Sequence, residues 1–189
     1  PSMIATQLKN AGYIESFNQP LMPDDLGFGG RLKLDYSTDC TGEVSLGPVS
    51  YGGTPDLVGS SANISSEGPF QNLGVPGARV THIDYAGYGS AAGNPYFARF
   101  ASDPMATILD EAESQIPTFV VMWIGNNDVL GYATSGGVDP ITDAVTFEVA
   151  LTNIVQRLSD IGAKGVMCNI PNVTSTAYFT TVPYNPIPI

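Results

Sequence analysis

Two short segments of this sequence carry groups that stabilise a developing negative charge. Gly77 ends the segment 72–77, and a glycine leaves its backbone N–H approachable because it has no Cβ. Asn127 follows the apolar run 118–124, and its side chain ends in an uncharged NH2 donor. A backbone N–H and an asparagine amide that converge on one point can form an oxyanion hole for a carbonyl oxygen that becomes negative. The two residues are therefore candidate donors for acyl-transfer chemistry.

Both candidates also have a purely local interpretation. Asn, Asp and Gly dominate turns, so Asn127 between Gly125 and Asp128 could belong to an Asx-type turn that leaves a strand. Gly77 alone could likewise serve a turn. We interpret Asp128 as a brace between neighbouring loops and not as a reacting group.

A strand–helix–strand unit is predicted in the second half of the chain. The run 118–124 is nearly all apolar and predicts a parallel strand buried on both faces, with Met122 and Trp123 in the core. A helix with apolar residues at the helical period is predicted over residues 139–161. The run 164–170 predicts the next strand, and a crossover of this length implies that the two strands pair in parallel.

The carboxyl ends of such strands are where ligands bind in an open α/β sheet. Three segments that deliver small or polar residues are expected there: 74–77, 125–128 and 169–172. Shorter elements are predicted elsewhere, namely helices over 1–10 and 104–115, a helical turn over 79–85 and a short strand over 70–77.

The long segment 19–69 interrupts this pattern and is rich in Gly, Pro, Ser and Asp. Alternating residues at 31–36 and 43–49 predict a small hairpin within it. Long segments of this kind are commonly lids or inserts. Aromatic side chains in and around the insert could stack on sugars or acyl chains, or could pack the loop down: Tyr13, Phe28, Tyr36, Tyr51 and Phe70.

The segment 72–78, Asn-Leu-Gly-Val-Pro-Gly-Ala, resembles the second sequence block of the SGNH (GDSL-type) hydrolases. The segment 123–128, Trp-Ile-Gly-Asn-Asn-Asp, is similar to their third block, in which Gly-x-Asn-Asp follows a hydrophobic strand. The resemblance implies that the Gly77 backbone N–H and the Asn127 side-chain amide are the oxyanion-hole donors. It further implies a carboxylic ester hydrolase of the esterase or lipase type, with no metal and no organic cofactor.

The same resemblance implies an α/β fold of three layers, α/β/α, around a flavodoxin-like parallel sheet. Residues 1–189 would form a single, incomplete domain of that type, with 19–69 as a loop or hairpin insert. The helix over 1–10 resembles the one that follows the family's Gly-Asp-Ser block, yet this chain contains no Gly-Asp-Ser. The family's Asp-x-x-His block is absent as well. The nucleophilic serine and the His–Asp base are therefore expected outside this chain.

Neither of two polar residues near the blocks is expected to replace the missing groups. His82 is the single histidine and falls just after the second block, where neither the family pattern nor its spacing gives it the role of general base. Ser90 lies one position away from a Gly-x-Ser-x-Gly elbow and precedes no clear helix. We interpret both as structural residues.

The two ends of the sequence favour a piece of a longer protein. The chain begins at Pro1, and the segment 186–189 ends it with no closing helix. A sheet that lacks its first strand exposes strand edges and an apolar slot. We therefore expect the missing segments to be partners of this chain, and we do not expect the isolated chain to be a stable monomer.

Composition narrows the classes of function. The formal net charge is −11, so the chain has little with which to neutralise phosphates, and we expect no nucleic-acid partner. No apolar run is long enough to cross a bilayer, and no transmembrane segment is predicted. Cys168 lies in an apolar run and is interpreted as a buried free thiol, not as half of a disulfide with Cys40. The acidity, the few cysteines and the polar loops fit a secreted or periplasmic enzyme.

Two functions from different classes remain open. The first is a hydrolase that acts on small-molecule, lipid or sugar esters. The second is a non-catalytic binding module of the same fold that recognises sugars or acyl groups through 19–69. A Gly-Asp-Ser upstream and an Asp-x-x-His downstream in the parent gene would favour the first. A flavin or phosphate site of the flavodoxin type is not favoured, because no phosphate loop stands at a helix start.

Overall fold

Two small sheets, one antiparallel and one parallel, make this chain a mixed α/β protein. The computed structural model describes residues 1–90, 92–176 and 179–180, so the segment 186–189 lies outside the described residues. The chain divides into two compact units. Unit 1 comprises Pro1–Asn72 with Ala98–Phe100, and unit 2 comprises Leu73–Phe97 with the described residues from Ala101 onward.

Unit 1 contains helix α1 (Ser2–Asn10), strands β1 (Leu32–Thr38) and β2 (Val44–Ser50), and helix α2 (Leu57–Ser61). The two strands pair antiparallel along their whole length. The Asp39 carboxylate closes the turn between them, because its Oδ1 accepts from the backbone N–H groups of Thr41 and Glu43 at 2.8 and 3.0 Å. The predicted N-terminal helix and the predicted hairpin are both confirmed.

A buried arginine joins distant segments of unit 1. Arg99 is only 3% exposed. Its Nη1 donates to the carbonyl oxygens of Gly59 and Ser60 at 2.7 and 2.8 Å, and its Nη2 donates to the carbonyl oxygen of Leu21 at 2.8 Å. Because the last carbonyls of a helix have no partner within the helix, the guanidinium acts as a cap for α2.

The remaining elements are α3 (Pro95–Ala98), α4 (Ile108–Ser114), β3 (Phe119–Met122), α5 (Asn126–Thr134), α6 (Ala144–Asp160) and β4 (Lys164–Met167), with short 3-10 turns at Ser65–Glu67, Val80–His82 and Val173–Ser175. Strands β3 and β4 pair in parallel, from Phe119 beside Lys164 to Met122 beside Met167. The parallel pairing predicted from the strand–helix–strand pattern is confirmed.

The core of unit 2 lies on one face of this parallel pair. Val80, Leu109, Ile154 and Leu158 form a buried cluster. Alternate residues of β3 pack against that cluster, because successive side chains of a strand point to opposite faces. Helices α4 and α6 thereby cover the face on which Met122 lies, as expected for a core residue.

The opposite face of β3 is open, so the prediction of a strand buried on both faces is wrong for the described residues. Phe119, Val121 and Val166 are each more than half exposed, and so is Trp123, which was expected in the core. The physical reason is that the sequence gives the polarity of a strand but not the element that covers it. Within the described chain, α4 and α6 cover one face only.

Two helices of unit 2, α6 and α4, begin later than predicted. Helix α6 begins at Ala144, not at residue 139, because the Asp143 carboxylate accepts from backbone N–H groups of the first turn and so caps the helix. Helix α4 begins at Ile108, because Thr107 and Asp110 form a reciprocal capping box.

Two other local predictions fail. Residues 70–77 form no strand, since proline and glycine disfavour strand pairing. The predicted helical turn over 79–85 shortens to the 3-10 turn Val80–His82. Helix α5 has no counterpart among the predictions, because Gly125 and the Asn and Asp residues after it have the composition of a turn.

A network of charges fixes α6 to its neighbours in unit 2. Arg157 contacts Asp84 at 2.6 Å, Asp110 at 2.9 Å and Glu113 through two of its nitrogens. Asn153 adds a hydrogen bond to Asp84 at 2.8 Å. Partial burial raises the pKa of Asp110, but the hydrogen bonds from Arg157 and Thr107 outweigh that effect and hold it below its usual value.

We expect Arg157→Met to lower the free energy of unfolding by about 1–2 kcal/mol at pH 7, more than a single exposed pair, because one guanidinium serves a network of carboxylates. Since the pKa of Asp110 is lowered by folding, its contribution is present above its unfolded pKa and is lost as the pH falls through the folded value. Urea titrations of both proteins between pH 7 and 3 should therefore converge at low pH. A constant difference across that range would contradict the ionic origin.

Among the described residues, no helix combines the length and the hydropathy needed to span a bilayer. Cys40 is exposed and Cys168 is half-buried, and both are free thiols. The prediction that no disulfide joins them is confirmed.

Candidate active site

Gly125 connects β3 to α5 and can only be a glycine. Its φ is +104°, in the left-handed region, and a Cβ on it would lie 2.5 Å from Cδ1 of Ile170. This residue is the N-cap of α5, so Asn127 lies in the first turn of a helix. The candidate donor therefore stands on regular structure and not in an Asx-type turn.

The side chain of Asn127 reaches the segment that carries Gly77. Its Nδ2 donates to the carbonyl oxygen of Ala78 at 2.8 Å, and the residue is half-buried. A primary amide carries two N–H groups, so one of them remains after this bond. The two segments predicted to form the site are thus adjacent in unit 2, with the Asn127 amide bonded to the residue next to Gly77.

Asp128 makes a second link between the same two segments. It is 2% exposed, and its Oδ2 accepts from the backbone N–H of Val80 at 3.0 Å. A carboxylate that accepts a buried backbone N–H fixes that backbone, because leaving such a donor unpaired is costly. Asp128 thus links the two segments as predicted, although it lies in the first turn of a helix and not in a loop.

The backbone N–H groups of residues 77–80 differ in whether they have a hydrogen-bond acceptor. Ala78 donates to the carbonyl of Val75 at 3.2 Å, Arg79 donates to Nδ1 of His82 at 3.2 Å, and Val80 donates to Asp128. Of these four N–H groups, only that of Gly77 has no acceptor among the described residues.

Gly77 is also exposed, and its environment is open. Its φ is +79°, and a Cβ built there would meet no heavy atom within 4 Å. The positive φ explains why glycine is favoured at this position. An approachable backbone donor therefore lies one residue from the carbonyl that receives Asn127.

His82 has a structural environment. Its Nδ1 accepts from the backbone N–H of Arg79, and its ring stacks on Tyr88 with centroids 4.6 Å apart. Burial, followed by the positive charge of Arg79, lowers the pKa of His82 below its ordinary value, although the charge of Asp128 acts in the opposite sense. The imidazole is therefore neutral at pH 7, with its proton on Nε2 because Nδ1 accepts a hydrogen bond.

Ser90 and Asn172 each serve a local turn. The Ser90 hydroxyl donates to the carbonyl of Gly87 at 2.8 Å and accepts from the backbone N–H of Gly93 at 3.2 Å. The neighbouring Ala91 lies outside the described residues. In the third predicted segment, 169–172, Asn172 caps the turn Val173–Ser175 through its Oδ1. Neither residue bonds to Asn127 or to Gly77 within the described chain.

Two buried oxygen atoms in the first turn of α5 accept no hydrogen bond from the described residues. They are Oδ1 of Asn126 and Oδ1 of Asp128. Buried polar atoms are nearly always paired in native proteins, since an unpaired one costs about 1–3 kcal/mol. Among the described residues there is also no group of three acidic, histidine or cysteine side chains that could hold a metal ion.

No protein-family model, curated protein or solved structure matches this chain. The likeness to the SGNH hydrolases therefore stays a prediction that rests on two short sequence segments.

One supporting residue of the site, Asn94, could not be found from the sequence. Asn94 and Tyr88 lie behind the Gly77 segment: the Nδ2 of Asn94 donates to the carbonyl of Pro76 at 3.0 Å and to the hydroxyl of Tyr88 at 2.8 Å. A single asparagine among glycines and a proline has the appearance of a turn residue, and no spacing points to its partner 18 positions away.

Proposed function

We propose that this chain supplies the oxyanion hole of a serine ester hydrolase. The donors are the backbone N–H of Gly77 and the second N–H of the Asn127 side chain. The nucleophilic serine and the His–Asp base come from segments outside this chain. The substrate is a carboxylic ester of a small molecule, a lipid or a sugar, and the proposal needs no metal and no organic cofactor.

One observation carries the proposal. The backbone N–H groups of Ala78, Arg79 and Val80 are all used, whereas the N–H of Gly77 has no acceptor among the described residues, at an exposed position one residue from the carbonyl held by Asn127. Uncharged donors fixed in advance are what a developing oxyanion needs, because they do not have to reorganise during the reaction. Gly77 also belongs to a turn in which the Ala78 N–H donates to the Val75 carbonyl at 3.2 Å, and that turn leaves the Gly77 N–H available to a ligand.

The proposed chemistry divides into two steps. The serine oxygen attacks the acyl carbon while the histidine takes its proton, and the carbonyl oxygen becomes an oxyanion that accepts from Gly77 and Asn127. Collapse of this intermediate expels the alcohol, which receives the proton from histidine. Water then attacks the acyl-enzyme by the same route and releases the acid. Each donor is expected to lower the barrier by roughly 2.7–4 kcal/mol.

Two features of unit 2 support a site completed by further segments. The Oδ1 atoms of Asn126 and Asp128 are buried acceptors in the same helical turn as Asn127, and they call for donors from outside the described residues. The apolar face around Val121 and Trp123 is exposed, and exposed apolar faces of this kind are commonly covered by another element or partner. We infer that the missing strand and its following turn meet both needs, within a three-layer, flavodoxin-like domain that is secreted or periplasmic.

A second candidate function is a binding module for sugars or acyl groups. Tyr13 and Tyr36 are 78% and 69% exposed and could stack on a ligand. Phe70 does not belong to such a surface, because it is buried and meets Phe100 edge-to-face at 6.0 Å. Tyr51 is engaged with the Arg31 guanidinium, 4.8 Å from its ring centroid. The most exposed of these aromatic side chains are therefore Tyr13 and Tyr36, both in unit 1.

A series of aryl esters of increasing acyl length distinguishes the two functions. We expect the full-length protein to hydrolyse at least the short members of the series and to lose that activity in proportion to labelling by a serine-directed phosphonate. Binding of a sugar or acyl ligand with no ester hydrolysis would favour the binding module. Hydrolysis that survives complete labelling would contradict the serine mechanism.

A further inference from the structure

The direction of the Gly77 N–H is set by the carbonyl of the preceding residue. The bond between Pro76 and Gly77 is trans, and in a trans peptide the C=O and N–H of one plane point in opposite directions. The carbonyl of Pro76 accepts from Nδ2 of Asn94 at 3.0 Å. The Gly77 N–H therefore points away from Asn94.

Asn94 is itself held in place by every hydrogen-bonding group of its side chain. The residue is buried, and its Oδ1 accepts from the backbone N–H groups of Tyr96 and Phe97 at 2.9 and 3.2 Å, which begin α3. Its Nδ2 donates to Pro76 and to the Tyr88 hydroxyl. An amide with both ends engaged in this way has one orientation available.

The other side of Gly77 is fixed as well. The next peptide is held through the N–H of Ala78, which donates to Val75, and the carbonyl of Ala78 is held by Asn127. Asn94 and Asn127 thus donate hydrogen bonds to the carbonyls of the two residues that flank Gly77, Pro76 and Ala78. The Pro76 carbonyl and the Gly77 N–H belong to the same peptide plane. The hydrogen bond from Asn94 to that carbonyl therefore fixes the direction of the Gly77 N–H.

We propose that Asn94 is a positioning residue for the oxyanion donor Gly77. The inference rests on the proposed function, since it assigns the role of Asn94 in that same site. Asn94 does not touch the substrate. It acts only through the Pro76–Gly77 peptide.

The test uses two variants of the full-length protein that keep the helix cap and lose the amide donor. Aspartate and serine both cap helices well, so Asn94→Asp and Asn94→Ser should preserve α3 while freeing the Pro76 carbonyl. Since removal of a whole oxyanion donor costs about 10²–10³ in kcat, we expect misaiming to lower kcat roughly 10–100-fold, with KM changed less than about twofold. The rate is divided by the number of active sites titrated with a phosphonate, which removes any loss of folded protein.

Tyr88→Phe is the matched control, because it removes one partner of Asn94 and leaves the bond to Pro76. We expect its kcat per titrated site to stay within about threefold of the wild type, as for the loss of a single neutral hydrogen bond. A readout independent of activity is the NMR order parameter of the Gly77 N–H. It should fall from a rigid value near 0.85 toward about 0.6 in Asn94→Ser and should not fall in Tyr88→Phe.

The outcomes separate this inference from the proposed function. Normal kcat per titrated site in both Asn94 variants overturns the inference alone, provided that Asn127→Ala is impaired. A loss confined to Asn94→Asp also overturns it, because the effect would then come from the added charge. A wild-type protein without ester hydrolysis overturns both, whereas parallel loss in both variants with a mobile Gly77 supports the inference.

Discussion

Asn127→Ala is expected to lower kcat for ester hydrolysis by the full-length protein by about 10²–10³, with little change in KM. Under the proposed function, alanine removes an amide donor whose interaction with the substrate oxygen exists only when that oxygen carries charge. A group that acts on the transition state and not on the bound substrate changes kcat and leaves KM nearly unchanged. Steady-state kinetics with a short aryl ester measure the effect.

Controls for this prediction separate chemistry from folding. Asn127→Asp keeps the size of the side chain but cannot donate, so it should lose as much activity as Asn127→Ala. Asn153→Ala, on the outer part of α6, removes an asparagine whose amide bonds only to Asp84. It should keep the wild-type rate. Unchanged turnover in Asn127→Ala would remove the residue from the mechanism, and a loss that matches the number of phosphonate-titrated sites would indicate unfolding instead.

Arg99→Ala is expected to destabilise unit 1 by about 1–3 kcal/mol, because it leaves one buried and two partly buried carbonyl oxygens without their donor. The carbonyls of Gly59, Ser60 and Leu21 lose their donor together. Hydrogen–deuterium exchange of the residues in Pro1–Asn72 locates the effect, and urea denaturation gives its size. Protection in the segment around α2 should be the first to disappear.

Two comparisons make the Arg99 prediction specific. Arg99→Lys should recover only part of the stability, since one ammonium cannot reproduce the planar fork that reaches carbonyls on different segments. Arg31→Ala removes an exposed arginine that donates to the carbonyl of Asp25 and lies over the ring of Tyr51. It should cost less than about 1 kcal/mol. An Arg99→Ala protein with unchanged exchange in unit 1 would contradict the role assigned to the guanidinium.

Much of the local structure could be predicted because its signals lie within one element. The hairpin follows from an alternation of residues and the parallel strands follow from short apolar runs, and both sheets are present. The helix boundaries depended on competition between neighbouring caps. The N-cap of α6 is Asp143 and not the earlier Asp139, because the Asp143 carboxylate accepts from the first free N–H groups of the helix.

Burial and the supporting residues of the site could not be predicted in the same way. The apolar side chains of Val121 and Trp123 indicate a covered face, yet coverage depends on another element and not on the strand itself. Gly77 and Asn127 could be chosen as candidates because glycine leaves its backbone N–H approachable and asparagine carries an uncharged amide donor. Asn94 was not, since its role depends on a long-range bond to Pro76 that no local pattern encodes.

The two candidate donors lie on different kinds of local structure. Asn127 is held by the start of a helix, where the cap at Gly125 fixes its backbone. Gly77 lies in a turn closed by the bond from the Ala78 N–H to the Val75 carbonyl, and side chains hold the carbonyls of the residues on either side of it. We therefore expect the Gly77 donor to be the more sensitive of the two to substitutions outside the reacting groups.

A crystal structure of the full-length protein inhibited by a phosphonate ester tests the central claim most directly. The phosphonyl oxygen mimics the oxyanion, and we expect it to lie about 2.7–3.1 Å from both the backbone nitrogen of Gly77 and Nδ2 of Asn127. A covalent adduct whose phosphonyl oxygen accepts from other donors, with Gly77 and Asn127 facing elsewhere, would contradict the account.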